Sequence, residues 1–153
     1  MYTHITRGSH QLRMHRTVAT ALITVCCADR QPLLADPGAA AIVLDSLLWH
    51  DAQRRLLLHA AAVMPDHLHF VADPLGTDWC ALLRSMKSFT AHQINLRLQR
   101  AGSVWQVQYH DRRITTDTQL LMAVDYCLQN PVRAGLVSAA GEWGPSWSRF
   151  AWE

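Results

Sequence analysis

Two histidines separated by one apolar residue, His67 and His69, are the side chains in this sequence best spaced to hold a metal ion. On a β-strand, successive side chains alternate between the two faces of the sheet, so both imidazoles point to one face. Leu68 and Phe70 then point to the other face and can enter the core. Such a pair also occurs on strand surfaces that bind no metal. It therefore predicts two ligands of a metal site only if further ligands come from elsewhere in the chain.

Tyr126 and Asn130 are the partners that the sequence offers. They lie one turn apart in a predicted helix, so their hydroxyl and carboxamide face the same point. The apolar residues of this helix form a separate arc, made of Leu120, Leu121, Val124, Cys127 and Leu128. A phenol and a carboxamide beside two imidazoles fit the metal-assisted attack of a tyrosine oxygen on a phosphodiester. A surface tyrosine bonded to a neighbour is the alternative, and Tyr109 is a rival nucleophile.

Positive charge is concentrated in one part of the chain, although the net charge is only +2. Positions 84 to 113 carry one acidic residue, Asp111, and six basic residues, namely Arg84, Lys87, Arg97, Arg100, Arg112 and Arg113. Aromatic residues lie among them, as is typical of surfaces that neutralise phosphates and stack unpaired bases. A solvated helix face followed by a loop would have the same composition. The predicted DNA contacts are Arg84, Lys87, Trp105, Tyr109, Arg112, Arg113 and Arg133.

The bulk properties predict one soluble globular domain in a chain of 153 residues, half of them apolar. No apolar run approaches the ~20 residues of a membrane span, so a membrane partner is not expected. The four cysteines form no CxxC pair, which argues against structural zinc and favours reduced thiols. The predicted location is the cytoplasm, in association with the nucleoid.

The hydrophobic patterns predict strands at 18–27, 56–64, 67–72 and 104–109. They predict helices at 37–54 and 78–100, and a third that Thr116 or Asp117 caps and Pro131 limits. This order indicates an α+β, ferredoxin-like domain at 17–137, with an antiparallel or mixed sheet, helices mainly on one face and the tyrosine on a C-terminal helix. Residues 1–16 are predicted to be a flexible basic segment, partly an expression remnant. The Trp-rich tail at 138–153, with Trp143, Trp147 and Trp152, either anchors back on the domain or occludes a DNA groove.

Five segments, in order along the chain, resemble the single-tyrosine HUH transposases. They are MPDHLHF at 64–70, LRSMKSF at 83–89, VWQ at 104–106, YHDRRI at 109–114 and DYCLQNPVRAGLV at 125–137. Within that superfamily the sequence is most similar to the transposases associated with repetitive extragenic palindromes (REP). The His-hydrophobic-His element is weak alone, and its combination with the last segment is highly specific.

The resemblance implies a single-stranded DNA endonuclease and strand transferase that recognises an imperfect DNA hairpin. Such enzymes use Mg²⁺ or Mn²⁺, form a 5′-phosphotyrosine and release a 3′-hydroxyl. By this resemblance, His67 and His69 match the metal-binding pair and Tyr126 matches the nucleophile. Asn130 matches a third metal ligand that is a glutamine in related enzymes. The family includes monomers and homodimers, with the tyrosine acting in cis or in trans, so the oligomeric state stays open.

Two other functions compete with this one. The first is a DNA-hairpin-binding protein that has lost catalysis and serves regulation or repeat maintenance. All four proposed catalytic positions carry competent residue types, which favours the enzyme. The second is a metal-dependent hydrolase of a small phosphoester, which would have no use for so long a basic stretch.

Overall fold

A computed structural model describes residues 16–150, which form one five-stranded sheet and three α-helices. The strands are β1 (Ala21–Cys26), β2 (Leu57–Val63), β3 (His67–Asp73), β4 (His110–Arg113) and β5 (Ser146–Ser148), and the helices are α1 (Pro37–Ala52), α2 (Trp79–Leu98) and α3 (Asp117–Arg133). Every pairing is antiparallel, in the order β4-β1-β3-β2-β5. The first six elements follow the β-α-β-β-α-β order of ferredoxin-like folds, which confirms the predicted fold class.

The sheet separates two apolar layers. Residues of alternate position on β1, such as Ile23 and Val25, pack with α1 and α2 on one face. Leu22 and Val71 pack on the other face with α3. Two of the described helices therefore share one face, as predicted. The third lies over β2 and β3 on the opposite face, where it brings Tyr126 to the sheet.

A two-residue turn, Pro65 and Asp66, joins β2 to β3, as predicted. The backbone N–H of Met64 donates to the carbonyl of His67 across this turn, at 2.8 Å. The turn fixes the register of the hairpin, in which Val63 faces Leu68. A slip of one residue would move the histidines of β3 to the face that α1 and α2 cover, so this turn determines where they point.

Each helix begins at a capping side chain. Asp36, Asp78 and Thr116 accept hydrogen bonds from backbone N–H groups three residues further on, at the starts of α1, α2 and α3. The helix α3 continues to Arg133, past the predicted limit at Pro131, because the proline removes only the hydrogen bond to Cys127. Gly135 follows the C-cap residue Ala134, and its φ of 74° suits a residue without a Cβ.

The fourth strand lies later in the chain than the sequence predicts. The pattern at 104–109 indicated a strand, but Val104 and Trp105 are buried in the core, where Trp105 bonds to Thr90 of α2, and Trp105 makes only an isolated bridge with Cys27. The strand that pairs with β1 is His110–Arg113, whose four residues are all exposed. The prediction failed because apolar, β-branched residues can enter a core without joining a sheet.

The tail adds the edge strand β5 beside β2, at the opposite edge of the sheet from β4. The indole N–H of Trp143 donates to the carbonyl of Val63 at 3.0 Å. Arg149 pairs with Asp51 at 2.6 Å and lies over the ring of Trp147. Residues 138–150 are thus anchored on the domain, as one of the two predictions has it. Trp152 and the predicted N-terminal segment, except Arg16, lie outside the described residues.

Phe70 packs on the face of β3 that α1 and α2 cover, so its truncation is expected to destabilise the fold. Its side chain is 1% exposed and its ring lies 5.9 Å from that of Trp79. We expect Phe70→Ala to lower the free energy of unfolding by about 3–5 kcal/mol, measured by urea denaturation. Phe89→Ala is the matched control, because Phe89 is 56% exposed and its loss should cost about 0.5 kcal/mol or less. Equal losses in the two variants would contradict this packing.

Candidate active site

His67 and His69 stand side by side on the face of β3 that α3 partly covers. Their Nε2 atoms are 3.0 Å apart, and their rings meet edge to face with centroids 4.5 Å apart. Leu68 and Phe70 point into the core with α1 and α2, as the two-residue period predicts. The two imidazoles therefore present one shared point to the space beside α3.

A hydrogen-bonding partner holds the far nitrogen of each imidazole. Asp66 Oδ1 lies 2.6 Å from His67 Nδ1, and Thr24 Oγ1 lies 2.8 Å from His69 Nδ1. Asp66 is itself held by Arg30, at 3.0 Å. Oxygen partners at Nδ1 orient an imidazole so that Nε2 is left for a ligand. Neither residue was predicted as part of the site: Asp66 could have been noticed beside His67, whereas Thr24 is found only through the register of β1 and β3.

The electrostatic setting keeps the buried imidazole neutral. Burial is the main cause that lowers the pKa of His69 to about 4, and the nearby His67 and Arg30 add to the effect. Burial acts to raise the pKa of Asp66, but its hydrogen bonds with His67 and Arg30 outweigh burial and lower it overall. A neutral imidazole with a free lone pair is the form that binds a metal.

Tyr126 reaches this pair from α3. Its ring meets that of His69 with centroids 5.8 Å apart and planes inclined at 70°. The guanidinium of Arg133, two turns further along the helix, lies 4.9 Å from the centre of the Tyr126 ring. Asn130 lies between them in sequence and is half-buried, one turn beyond Tyr126. The hydrogen bond between His67 and His69 does not involve Asn130, so the role of Asn130 as a third metal ligand stays a prediction.

Tyr126 also lines a basic cleft of about 420 Å³. Arg112 and Arg113 of β4 line it together with Tyr126 and Arg133 of α3, and Asp125 lies among them. The two strand arginines differ in direction, because Arg112 pairs with Leu22 of the α3 face and Arg113 with Ala21 of the other face. Three of the predicted DNA contacts therefore line the same cleft as the candidate nucleophile.

The other four predicted DNA contacts line a second cleft, of about 500 Å³, between α2 and the segment 103–109. Arg84 is exposed there, and Tyr109 is half-buried with its hydroxyl 3.8 Å from the Cys80 sulfur. Burial, and then the contact with Cys80, raises the pKa of Tyr109. Trp105 is only 7% exposed and donates its indole N–H to Thr90, so most of its ring belongs to the core. The Lys87 ammonium is bonded to backbone carbonyls.

The donor set fits a divalent cation that keeps open positions. Two ligands at ~2.1 Å from an octahedral ion and at right angles to each other lie ~3.0 Å apart, as the Nε2 atoms do. Over residues 16–150, no group of three or more His, Cys, Asp or Glu side chains is placed to hold a metal. Two imidazoles are fewer ligands than the four of a closed structural zinc site.

No protein-family model and no curated protein matches this sequence. Among solved structures, a REP-associated tyrosine transposase bound to a REP hairpin is similar, with a TM-score of 0.70 and 23% identity, covering 91% of this chain and 82% of that one. A transposase candidate from Deinococcus radiodurans R1 is similar with a TM-score of 0.51 and 17% identity, covering 80% of this chain and 94% of that one. Across residues 16–150, none of the helices combines the length and the apolar character that a membrane span needs.

The similarity to the solved transposase structure shows that this chain has the fold of a REP-associated tyrosine transposase, as its sequence predicts.

Proposed function

We propose that the protein is a metal-dependent endonuclease and strand transferase that acts on single-stranded DNA beside a hairpin. The observation that carries this proposal is the meeting of three side chains: the imidazoles of His67 and His69, and the ring of Tyr126 against His69. The similarity in fold to a transposase bound to a REP hairpin supports hairpin DNA as the substrate class.

Cleavage would be a transesterification centred on one phosphate. The phenolic oxygen of Tyr126 loses its proton and attacks phosphorus, and the bond from phosphorus to the 3′-oxygen breaks. The 3′-oxygen takes up a proton, and the 5′-phosphate remains on the tyrosine. One phosphoester replaces another, so the bond energy is kept for the reverse attack of a 3′-hydroxyl in a joining step.

The neighbouring charges suit each stage of this reaction. A bound Mg²⁺ or Mn²⁺ would supply charge neutralisation at the scissile phosphate. His67 and His69 would hold the ion, with Asn130 as the proposed third ligand. The guanidinium over the Tyr126 ring, that of Arg133, favours the developing phenolate and the incoming phosphate. Tyr126 rather than Tyr109 is the nucleophile, because the ring of Tyr126 contacts that of His69 whereas Tyr109 lines the cleft beside α2.

The direct test is covalent capture. The full chain is incubated with a 5′- or 3′-labelled hairpin oligonucleotide that carries single-stranded flanks, with Mg²⁺ or Mn²⁺ present. We expect a protein–DNA adduct on a denaturing gel, with label retained only when it lies on the 3′ side of the cut. Release of two free DNA fragments without any adduct would overturn the proposal and indicate a hydrolase.

The basic cleft beside Tyr126 gives a prediction on salt dependence. If Arg112 and Arg133 each neutralise one phosphate, Arg112→Ala and Arg133→Ala should each reduce the slope of log affinity against log salt by about 0.7 for a single strand. Fluorescence anisotropy of a labelled hairpin with a single-stranded flank measures the slope. Arg97→Ala is the control, because Arg97 is paired with Asp36 at 2.6 Å. An unchanged slope in both cleft variants would remove these arginines from the DNA interface.

A further inference from the structure

The facing nitrogens of His67 and His69 are close enough to share one proton. Their Nε2 atoms are 3.0 Å apart, which is a hydrogen-bond distance. Two N–H groups or two lone pairs would repel each other at this distance. Without an ion between them, one Nε2 must therefore carry a proton and the other a lone pair. The two imidazoles then differ in the part that each can play toward a cation.

Asp66 determines which nitrogen of His67 is protonated. One carboxylate oxygen of Asp66 lies 2.6 Å from His67 Nδ1, and the other accepts from Arg30 at 3.0 Å. A carboxylate paired with a guanidinium only accepts hydrogen bonds, so the proton of His67 lies on Nδ1. The Nε2 of His67 then has the lone pair and accepts from the neighbouring ring. By elimination, His69 carries its proton on Nε2 and a lone pair on Nδ1.

Thr24 is the partner of that lone pair. It lies opposite His69 in the register of β1 and β3, with Oγ1 2.8 Å from Nδ1, and its hydroxyl donates there. With an ion at the pair, both Nε2 atoms present lone pairs, so the His69 proton must lie on Nδ1. The hydroxyl then turns about its C–O bond and accepts that proton, because a hydroxyl both donates and accepts. One proton moves through solvent from Nε2 to Nδ1 of the same ring, and the charge of the ring is unchanged.

We propose that Thr24 is a positioning residue that lets His69 change tautomer when an ion binds, whereas Asp66 holds His67 in a single tautomer. His67 is thus the fixed ligand and His69 the switched one. His69 is only 7% exposed, so its Nδ1 depends on a partner within the protein in both states. The inference rests on the proposed function for the ion, and it assigns different tasks to two histidines that the sequence pattern treats as equivalent.

The first test measures the tautomers directly. Ring-nitrogen chemical shifts of the ¹⁵N-labelled full chain distinguish a protonated nitrogen from one with a lone pair. They are recorded after dialysis against EDTA and again with Zn²⁺, a diamagnetic ion that imidazole binds well. We expect His67 to be protonated at Nδ1 and His69 at Nε2 before the ion is added, and both at Nδ1 afterwards. The same tautomer in both rings before the ion, or His67 protonated at both nitrogens, would overturn the inference.

The second test compares Thr24→Val, which keeps the shape of the side chain without its hydroxyl, with Thr24→Ser, which keeps the hydroxyl. Mn²⁺ affinity is measured from the electron paramagnetic resonance signal of the free ion, without DNA. We expect Thr24→Val to weaken it by about 10–100-fold and Thr24→Ser to stay within about threefold of the wild type. An unchanged affinity in Thr24→Val, or equal losses in both variants, would contradict the role of the hydroxyl. Adduct formation at Tyr126 tests the proposed function separately, so an ion-dependent adduct without the tautomer change would overturn this inference alone.

Discussion

Tyr126→Phe is expected to abolish covalent attachment to a labelled hairpin oligonucleotide while leaving DNA affinity within about twofold of the wild type. The substitution removes only the phenolic oxygen, which is the nucleophile in the proposed reaction. Its ring, which meets His69 and lies under Arg133, keeps its place. Loss of a nucleophile lowers the rate of reaction by roughly 10⁴-fold or more, so the adduct should vanish from a denaturing gel.

The comparison variant is Tyr109→Phe, which removes the hydroxyl of the rival tyrosine. We expect the adduct to persist in this variant, whatever contact with DNA Tyr109 provides. An adduct that survives Tyr126→Phe and disappears in Tyr109→Phe would transfer the role to Tyr109. A wild-type protein that binds the hairpin tightly but never forms an adduct would instead favour the DNA-binding protein without catalysis.

The histidine pair could be predicted from sequence because its geometry depends on a local rule. Side chains alternate along any strand, so two histidines two residues apart share a face once the segment is a strand. The turn at Pro65 and Asp66 was predictable for a similar reason, since its residues favour a tight connection. Which face the pair takes follows from the apolar residues Leu68 and Phe70, which must enter a core.

The residues that complete the site depend on pairing between distant segments, and a single sequence does not reveal this. Thr24 reaches His69 only because β1 and β3 pair in one register, over 45 positions of sequence separation. The placement of Arg112 beside Tyr126 likewise depends on β4, a short polar edge strand with no hydrophobic pattern. The segment 104–109 was a better strand by composition, but its residues Val104 and Trp105 are buried in the core with only one isolated bridge, and Val107 is exposed.

Cleavage is expected to require Mg²⁺ or Mn²⁺, and His67→Ala and His69→Ala should each suppress it by about 100-fold or more. The two Nε2 atoms, 3.0 Å apart, are the only protein nitrogens proposed to hold the ion, so either substitution leaves one imidazole and the proposed third ligand, Asn130. Even loss of an outer-shell partner of a metal ligand costs about 10–100-fold, and loss of the ligand itself should cost at least as much. DNA affinity should change far less, because the arginines of the basic cleft remain.

The measurement is cleavage of the labelled hairpin after exhaustive dialysis against EDTA, followed by titration with each divalent ion. His92→Ala is the matched control, because His92 is exposed on α2 and should leave the titration unchanged. An ion held by so few protein ligands would leave positions for phosphate oxygens, so DNA should tighten ion binding, and the ion should tighten DNA binding by the same factor. Undiminished cleavage in EDTA, or wild-type rates in either histidine variant, would leave His67 and His69 as structural residues of β3. A coupling factor of one, with ion affinity unchanged by DNA, would show that the ion and the DNA do not meet at one site.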